Sequence, residues 1–387
     1  MAIFPKISLR INCGEKRKLD AMIDIGQNNI VFPLLFLGFI ILSLVINRIL
    51  IRFSLNFGSR YQDGQIRWSD EAKPALGGFA FYLLFVIALF LIATIDFSNH
   101  DIGNRELIGM FIAVSLGFFI GLADDAYNTY PLLKLLGQLT CANILIASGL
   151  IIPLTPSIIL NSLFTIIWVV AIMNSLNMID NMDGITSVIS IGILLNGMLI
   201  AFLISGIFTT TMLLLALVIA AILGFLFFNW HPSRLIMGDS GSQFLGVLLA
   251  AISILSMWNF KNPTGEYFQI RQFLIPLAVF QLPLFDTTTV IIRRMLRGQS
   301  PFVGGKDHTT HQFVFLGLNE ESVTLLFAVI ALLSLIEVYI LYRLYFHWIW
   351  WYNFAVIAFF LMQFILLQFI YQKGWRKHQD KLKQSLS

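Results

Sequence analysis

Long apolar runs recur from one end of this chain to the other, and at about 18 to 25 residues each can cross a hydrocarbon core as a helix. Eleven are read, over residues 29–50, 76–95, 107–123, 132–153, 158–174, 185–207, 209–228, 242–258, 272–292, 322–346 and 348–371. No stretch between them is long enough for a soluble domain. With 58% hydrophobic residues, 12% charged residues and a mean hydropathy of +0.82, the chain cannot solvate itself as a water-borne globule. The fold class expected is all-α, a polytopic integral membrane protein of about 11 helices. Residues 1–28 read as an N-terminal tail, 29–371 as the membrane domain and 372–387 as a basic C-terminal tail. The first run starts late and has no small-residue cleavage site after it, so a retained span is expected rather than a signal peptide. Two cysteines, Cys13 and Cys141, provide neither a disulfide framework nor a four-cysteine zinc site.

Because spans alternate sides, the segments after spans one, three, five, seven, nine and eleven share a face. That face carries sixteen basic residues, among them Arg48, Arg52, Arg60, Arg67, Lys73, Lys134, Arg234, Lys306 and a C-terminal group from Lys373 to Lys383. The opposite face has Arg105, Lys261, Arg271 and Arg343, which places the richer face in the cytoplasm by the positive-inside rule. Lys6, Arg10, Lys16, Arg17 and Lys18 of the N-terminal tail run against that orientation. The parity also depends on two splits with little polar punctuation, at Ile207-Phe208-Thr209 and near His347.

Four polar constellations interrupt the apolar pattern, and parity puts all of them on the same face. Asp124 and Asp125 end span three, with Asn128 just beyond and Lys134 opening span four. A carboxylate at a span centre costs about 2.5 to 3.5 kcal/mol, less at its end, so an adjacent pair calls for a counter-charge. A hard divalent cation such as Mg²⁺ suits such oxygens; a solvated helix end with loop acids is the plainer reading. After span five come Asn174, Asn177, Asp180, Asn181 and Asp183, several of which a continued helix would stack on one face. They suit a polar ligand, or else serve as polar glue between helices. Met237-Gly238-Asp239-Ser240-Gly241-Ser242 follows Asn229 and Pro232. Its small residues would let backbone N–H groups approach an anion while Asp239 takes a metal. The Gly-Asp-Ser-Gly run also occurs in trypsin-like proteases, but those need a soluble β-barrel that this chain lacks.

The fourth constellation, Arg293 through Glu321, contains Arg293, Arg294, Arg297, Lys306, Asp307, His308 and His311. Its cations suit phosphates better than its two histidines suit zinc. Asp286, inside span nine near Pro283, is either functional or a structural partner for an arginine or for backbone freed by proline. Metal-binding acids, phosphate-binding cations and amides for a polar head, gathered at an interface, imply a phosphate-rich substrate and a lipid one. No nucleic-acid partner is expected.

In this order, the four motifs resemble those of the polyprenyl-phosphate N-acetylhexosamine-1-phosphate transferases, over a match from Lys73-Pro74-Ala75-Leu76-Gly77-Gly78 to about Leu318. The resemblance implies Mg²⁺-dependent transfer of a sugar 1-phosphate from a UDP-sugar to undecaprenyl phosphate with release of UMP, Mn²⁺ being able to substitute. It makes Asp124, Asp125, His308 and His311 catalytic, and Asp239 with Asp125 metal-binding. Asn128, Lys134, Asn174, Asn177, Asp180, Asp183 and Lys306 become substrate-binding. Eleven spans look more like the N-acetylglucosamine-1-phosphate branch than the ten-span muramoyl-pentapeptide branch, and a homodimer is left open. The family setting implies a bacterial inner membrane with the site facing the cytoplasm, and priming of an envelope polymer. Thr310 stands where the family has a histidine, Asn181 where it has a glycine, and Ile236 where many members carry an aromatic. A secondary transporter would instead hold its acids near midspan, and an intramembrane aspartyl protease would pair Asp124 with Asp239 without metal.

Overall fold

The computed structural model describes residues 31–57, 73–94, 102–258, 271–300 and 305–386. The N-terminal tail with its five basic residues, Cys13, Arg60, Arg67 and Lys261 lie outside them. The described residues form α1 (Val31–Phe57), α2 (Gly77–Thr94), α3 (Asn104–Tyr127), α4 (Pro131–Ser148), α5 (Ile158–Ile179) and α6 (Ile185–Ser205). Next come α7 (Thr210–Asn229), α8 (Gly238–Ser253, prolonged by a π-helical turn Ile254–Trp258), α9 (Arg271–Leu296), α10 (Thr309–Leu316), α11 (Glu320–Tyr345) and α12 (Trp351–Leu386). All except α10 are long and apolar enough to span a bilayer, eleven in all. The chain is thus an all-helical, multi-pass membrane protein.

Both splits on which the parity depends are present. Gly206 turns the chain at the end of α6 with φ of 68°, and Thr209 caps α7 by accepting from the Met212 N–H at 3.4 Å. Near His347, α11 ends at Tyr345 and α12 begins at Trp351. Several boundaries differ from the sequence reading in one direction. Helix α3 runs through Tyr127, α5 through Ile179, and α8 begins at Gly238, so polar motifs read as loops are wound into helix ends. A helix satisfies its own backbone in an apolar surround, which favours continuing it as far as the membrane interface. Likewise α12 does not stop at 371; residues 372–386 continue as helix.

Helix α8 is the axis of the bundle. Nearly every residue from Gly238 to Trp258 is buried, and it packs against α2, α3, α5 and α6. Lipid gives little hydrophobic drive for helix association, so close approach through small residues must supply contact. The closest approach to a neighbouring helix's backbone is at Gly121 of α3, where an added Cβ would lie 2.1 Å from the Asp239 carbonyl oxygen. One ionisable residue missed by the sequence reading, Glu337 of α11, accepts from Gln281 Nε2 of α9 at 2.8 Å. It acts there as interhelical glue.

Gly121→Ala is expected to lower stability by about 1–3 kcal/mol, since backbone rather than a movable side chain blocks the methyl. Gly38→Ala, with nothing within 4 Å of its Cβ position, is the control. Equal thermal unfolding midpoints for the two variants in detergent would contradict this crossing.

Candidate active site

The ends of α3, α5, α7 and α9 meet at one end of the bundle around a cavity of about 1190 Å³. Its charged centre is Lys134, one turn into α4. Lys134 Nζ donates to Asp124 Oδ2 at 2.6 Å and to Asn177 Oδ1 at 3.1 Å, and lies 3.5 Å from Asp239 Oδ2. Asn177 Nδ2 in turn donates to Asp239 Oδ1 at 2.7 Å and to Ser242 Oγ at 2.9 Å. One ammonium group therefore joins residues of α3, α5 and α8. The chain turns back after α3 through Asn128, at φ of 49°, so that Thr129 donates to Asp124 Oδ1 from both its N–H, at 2.9 Å, and its hydroxyl, at 2.7 Å.

Adjacent to Asp124, Asp125 has a different task. Its Oδ1 accepts from the Asp239 N–H at 2.8 Å and its Oδ2 from the Ser240 N–H at 2.9 Å. These are backbone donors of the first turn of α8, which have no acceptor within the helix. Asp125, which the resemblance makes catalytic and metal-binding, thus caps α8 through one bond to each oxygen and does not line the cavity. The same bonds turn two amides of the Gly-Asp-Ser-Gly-Ser run, those of Asp239 and Ser240, toward the Asp125 carboxylate.

A second group stands on the facing side. His308 caps α10 and places Nδ1 at 2.8 Å from Asp286 Oδ2, while Asp286 Oδ1 accepts from the Thr309 N–H at 2.6 Å. Because a carboxylate only accepts, Nδ1 carries the proton and Nε2 is left for the cavity that His308 lines. Asp286 is thus paired with His308 and the Thr309 amide rather than with an arginine. His311 Nδ1 accepts from the His308 N–H at 3.3 Å. Burial first, then the neighbouring His308 charge, pushes the His311 imidazole down from 6.5 to about 3.

Asp307 takes no part in a zinc half-site with these histidines. Arg294 grips it through Nε at 2.9 Å and Nη2 at 2.6 Å, and Arg297 approaches at 3.3 Å. Burial opposes ionisation of Asp307, but these guanidinium bonds outweigh it and hold the carboxyl below its usual range. Two of the three departures from the family pattern are neighbours: Thr310 Oγ1 donates to Asn181 Oδ1 at 2.7 Å, tying α10 to the loop after α5.

Other expected residues divide clearly. Asn128, Asp180, Asp183 and Lys306 line the cavity with Lys134, Asn177 and Asp239. Asn174 also lines it, yet its amide is exchanged with Gln138, at 2.8 and 3.3 Å, and Gln138 passes on to Gln243 at 3.1 Å. That chain of amides links α4, α5 and α8 beside the cavity. Asp183 accepts from Ser233 Oγ at 2.7 Å and Lys73 Nζ at 3.1 Å, with His231 Nδ1 at 3.3 Å. Burial raises the cost of its charge, and the Ser233 and Lys73 bonds overcome this, leaving the pKa lowered. Gln138 and His231 carried no local signal, since their partners are distant in sequence.

Comparison with known proteins bears on this geometry. The model of glycosyl transferase family 4 matches residues 107–257, the stretch from α3 through α8. A probable undecaprenyl-phosphate N-acetylglucosaminyl 1-phosphate transferase of Bacillus subtilis is 30% identical over 316 residues, covering 79% of this chain and 84% of that protein. The chain belongs to this family. A decaprenyl-phosphate N-acetylglucosaminephosphotransferase of Mycobacterium leprae is 29% identical over 278 residues, 65% of this chain and 69% of that protein. A phospho-N-acetylmuramoyl-pentapeptide-transferase of Staphylococcus carnosus is 27% identical over 331 residues, 79% of this chain and 97% of that protein. The family model thus takes in Asp124, Asn177 and Asp239 but stops before Asp286, His308 and α12.

Stability is expected to fall as pH drops below about 6.5, because the unfolded chain protonates His311 there while the folded one resists to about 3. The slope approaches about 1.4 kcal/mol per pH unit for one such group. Asp183 and Asp307, whose pKa values are lowered, add their own loss only below the ordinary carboxylate value of 3.8. Unfolding midpoints measured from pH 7 to 5 should therefore decline in the wild type and stay flatter in His311→Gln. Identical profiles would show that His311 is not buried neutral.

Proposed function

We propose that this chain transfers N-acetylglucosamine 1-phosphate, or a related N-acetylhexosamine 1-phosphate, from a UDP-sugar to undecaprenyl phosphate at the cytoplasmic face of a bacterial inner membrane. One observation carries the reading beyond family membership: a single cavity joins the charged cluster to an apolar wall. Beyond Lys134 the lining continues through Leu135, Leu139, Ile167, Val170, Leu284 and Ile291, on α4, α5 and α9. Leu135 and Ile167 are exposed on the outer surface of the bundle, where lipid would lie. A polar head and an isoprenoid tail thus fit one continuous space. A transporter is less well served, because the acids that line the cavity, among them Asp124, Asp180, Asp183 and Asp239, lie at or beside helix ends rather than at midspan.

The donor set suits Mg²⁺, a hard ion that takes carboxylate and amide oxygens. Taken as ionised, Asp124, Asp125 and Asp239 set three negative charges against the single Lys134 ammonium, and one divalent ion would balance the remaining two. Asp239 and Asp124, with Asn177, would hold it. When bound, the ion supplies charge neutralisation for the diphosphate and the leaving UMP.

In the reaction a phosphate oxygen of the lipid attacks the β-phosphorus of the UDP-sugar, and the bond from that phosphorus to the bridging oxygen of UMP breaks. Asp124 already accepts from Lys134 and twice from Thr129. Such a carboxylate is better at positioning than at taking a proton, and a phosphate monoester with a second pKa of about 6 needs little help to ionise. Lys134 would meet the acceptor phosphate, while Lys306, Arg294 and the Nε2 of His308, which line the same cavity, would face the donor's diphosphate.

Purified protein with undecaprenyl phosphate, Mg²⁺ and a panel of UDP-sugars is expected to release UMP with UDP-N-acetylglucosamine, and to stop on addition of EDTA. Asp239→Asn should lower the rate by about a hundredfold or more, in the range of losing a main electrostatic contribution. Absence of UMP release with every sugar would sink the proposal, as would wild-type turnover by Asp239→Asn.

A further inference from the structure

Helix α10 carries His308 at its cap and His311 in its first turn, yet it has only eight residues. A helix so short has no stability of its own, so its position must come from what it packs on. Thr310 and Asp286 hold it on the cavity side. Its opposite side lies along residues 371–378, all but the first of which fall in the stretch read from sequence as a basic C-terminal tail.

The contact is built from several kinds of interaction. Gly374 lets α12 cross α10 closely, since an added Cβ there would lie 2.7 Å from the Gln312 carbonyl oxygen and 2.8 Å from Gln312 Cβ. His378 stacks on Phe315, with ring centroids 4.0 Å apart and planes at 11°. Lys377 Nζ donates to the Leu316 carbonyl at 2.8 Å, satisfying an acceptor at the end of α10. The same stretch grips the cationic group: Arg297 donates to Tyr371 OH at 3.1 Å and lies 4.5 Å above the Trp375 ring. Arg297 also reaches Asp307, the residue next to His308. By contrast, the apolar length of α12 is largely exposed, as expected for a helix facing lipid.

We propose that residues 371–378 of α12 form a strut that positions His308 and His311, with Gly374, Lys377 and His378 as positioning residues for the transfer reaction. The inference rests on the transferase reading for its kinetic part alone. The strut touches neither the cavity centre nor the apolar wall, so its loss should spare substrate binding and slow the chemical step.

Two readouts test it: deuterium exchange of the backbone amides of 309–317, which needs no activity, and steady-state UMP release. The protein truncated after Lys373, and separately Gly374→Val, should exchange those amides at least about tenfold faster than wild type, as local opening requires. Turnover should fall about tenfold or more with KM for both substrates within about twofold. Lys377→Ala should show a weaker form of both effects, and Lys377→Arg should reverse it. Unchanged exchange in the truncated and Gly374→Val proteins would overturn the strut, and faster exchange with wild-type turnover would overturn its positioning role. Should the wild type release no UMP from any UDP-sugar, the transferase reading fails and exchange alone decides the strut.

Discussion

The Lys134 ammonium is the one interaction on which the arrangement of the site depends. Asp124 comes from the end of α3, Asn177 from the last turns of α5 and Asp239 from the start of α8, and all three turn toward the same nitrogen. At the edge of a bilayer two carboxylates would repel each other and resist leaving water, so a shared cation is what lets these helix ends converge. The neighbouring Asp125 fixes the same junction differently, by binding the first amides of α8. Adjacent acids thus divide the work, one oriented into the cavity and one spent on the backbone.

A division of the same kind runs through the facing side. His308 is aimed by Asp286, His311 is kept neutral by burial, and Asp307 is consumed by Arg294 and Arg297. The cavity between the two sides passes from ammonium and carboxylates to Leu and Ile side chains within one space. A soluble nucleotide-sugar and a membrane-bound acceptor must meet at such a boundary, and the helix ends supply polar groups without breaking the bundle's apolar girth.

The spans and their number were legible because apolar periodicity and length respond to one dominant force, the exclusion of unsatisfied polar groups from lipid. That Asp124, Asn177, Asp239 and His308 would come together was legible through parity, which needs no knowledge of packing. What each acid does was not. Asp124 and Asp125 are chemically identical, and only the rotation of α3 about its axis sends one to Lys134 and the other to the α8 amides. Asn174 and Asn177 likewise share a helix face, yet Gln138 takes up the first and Asp239 the second. The use of α12 was hidden because a basic, polar stretch after a span reads as solvated, and nothing near Gly374 or His378 signals a partner some sixty residues earlier.

We propose that Asp239, joined to Asp124 and Asn177 around Lys134, would hold a divalent ion, whereas Asp125 caps α8. Electron paramagnetic resonance titration of the purified protein with Mn²⁺ tests it without any substrate. The account predicts one saturable site in the wild type, its affinity at least about tenfold weaker in Asp239→Asn and less weakened in Asp125→Asn, which removes a nearby charge while its amide oxygen keeps one of the two bonds to the helix. Undiminished Mn²⁺ binding by Asp239→Asn, or loss of the site in Asp125→Asn with a native unfolding midpoint, would contradict it.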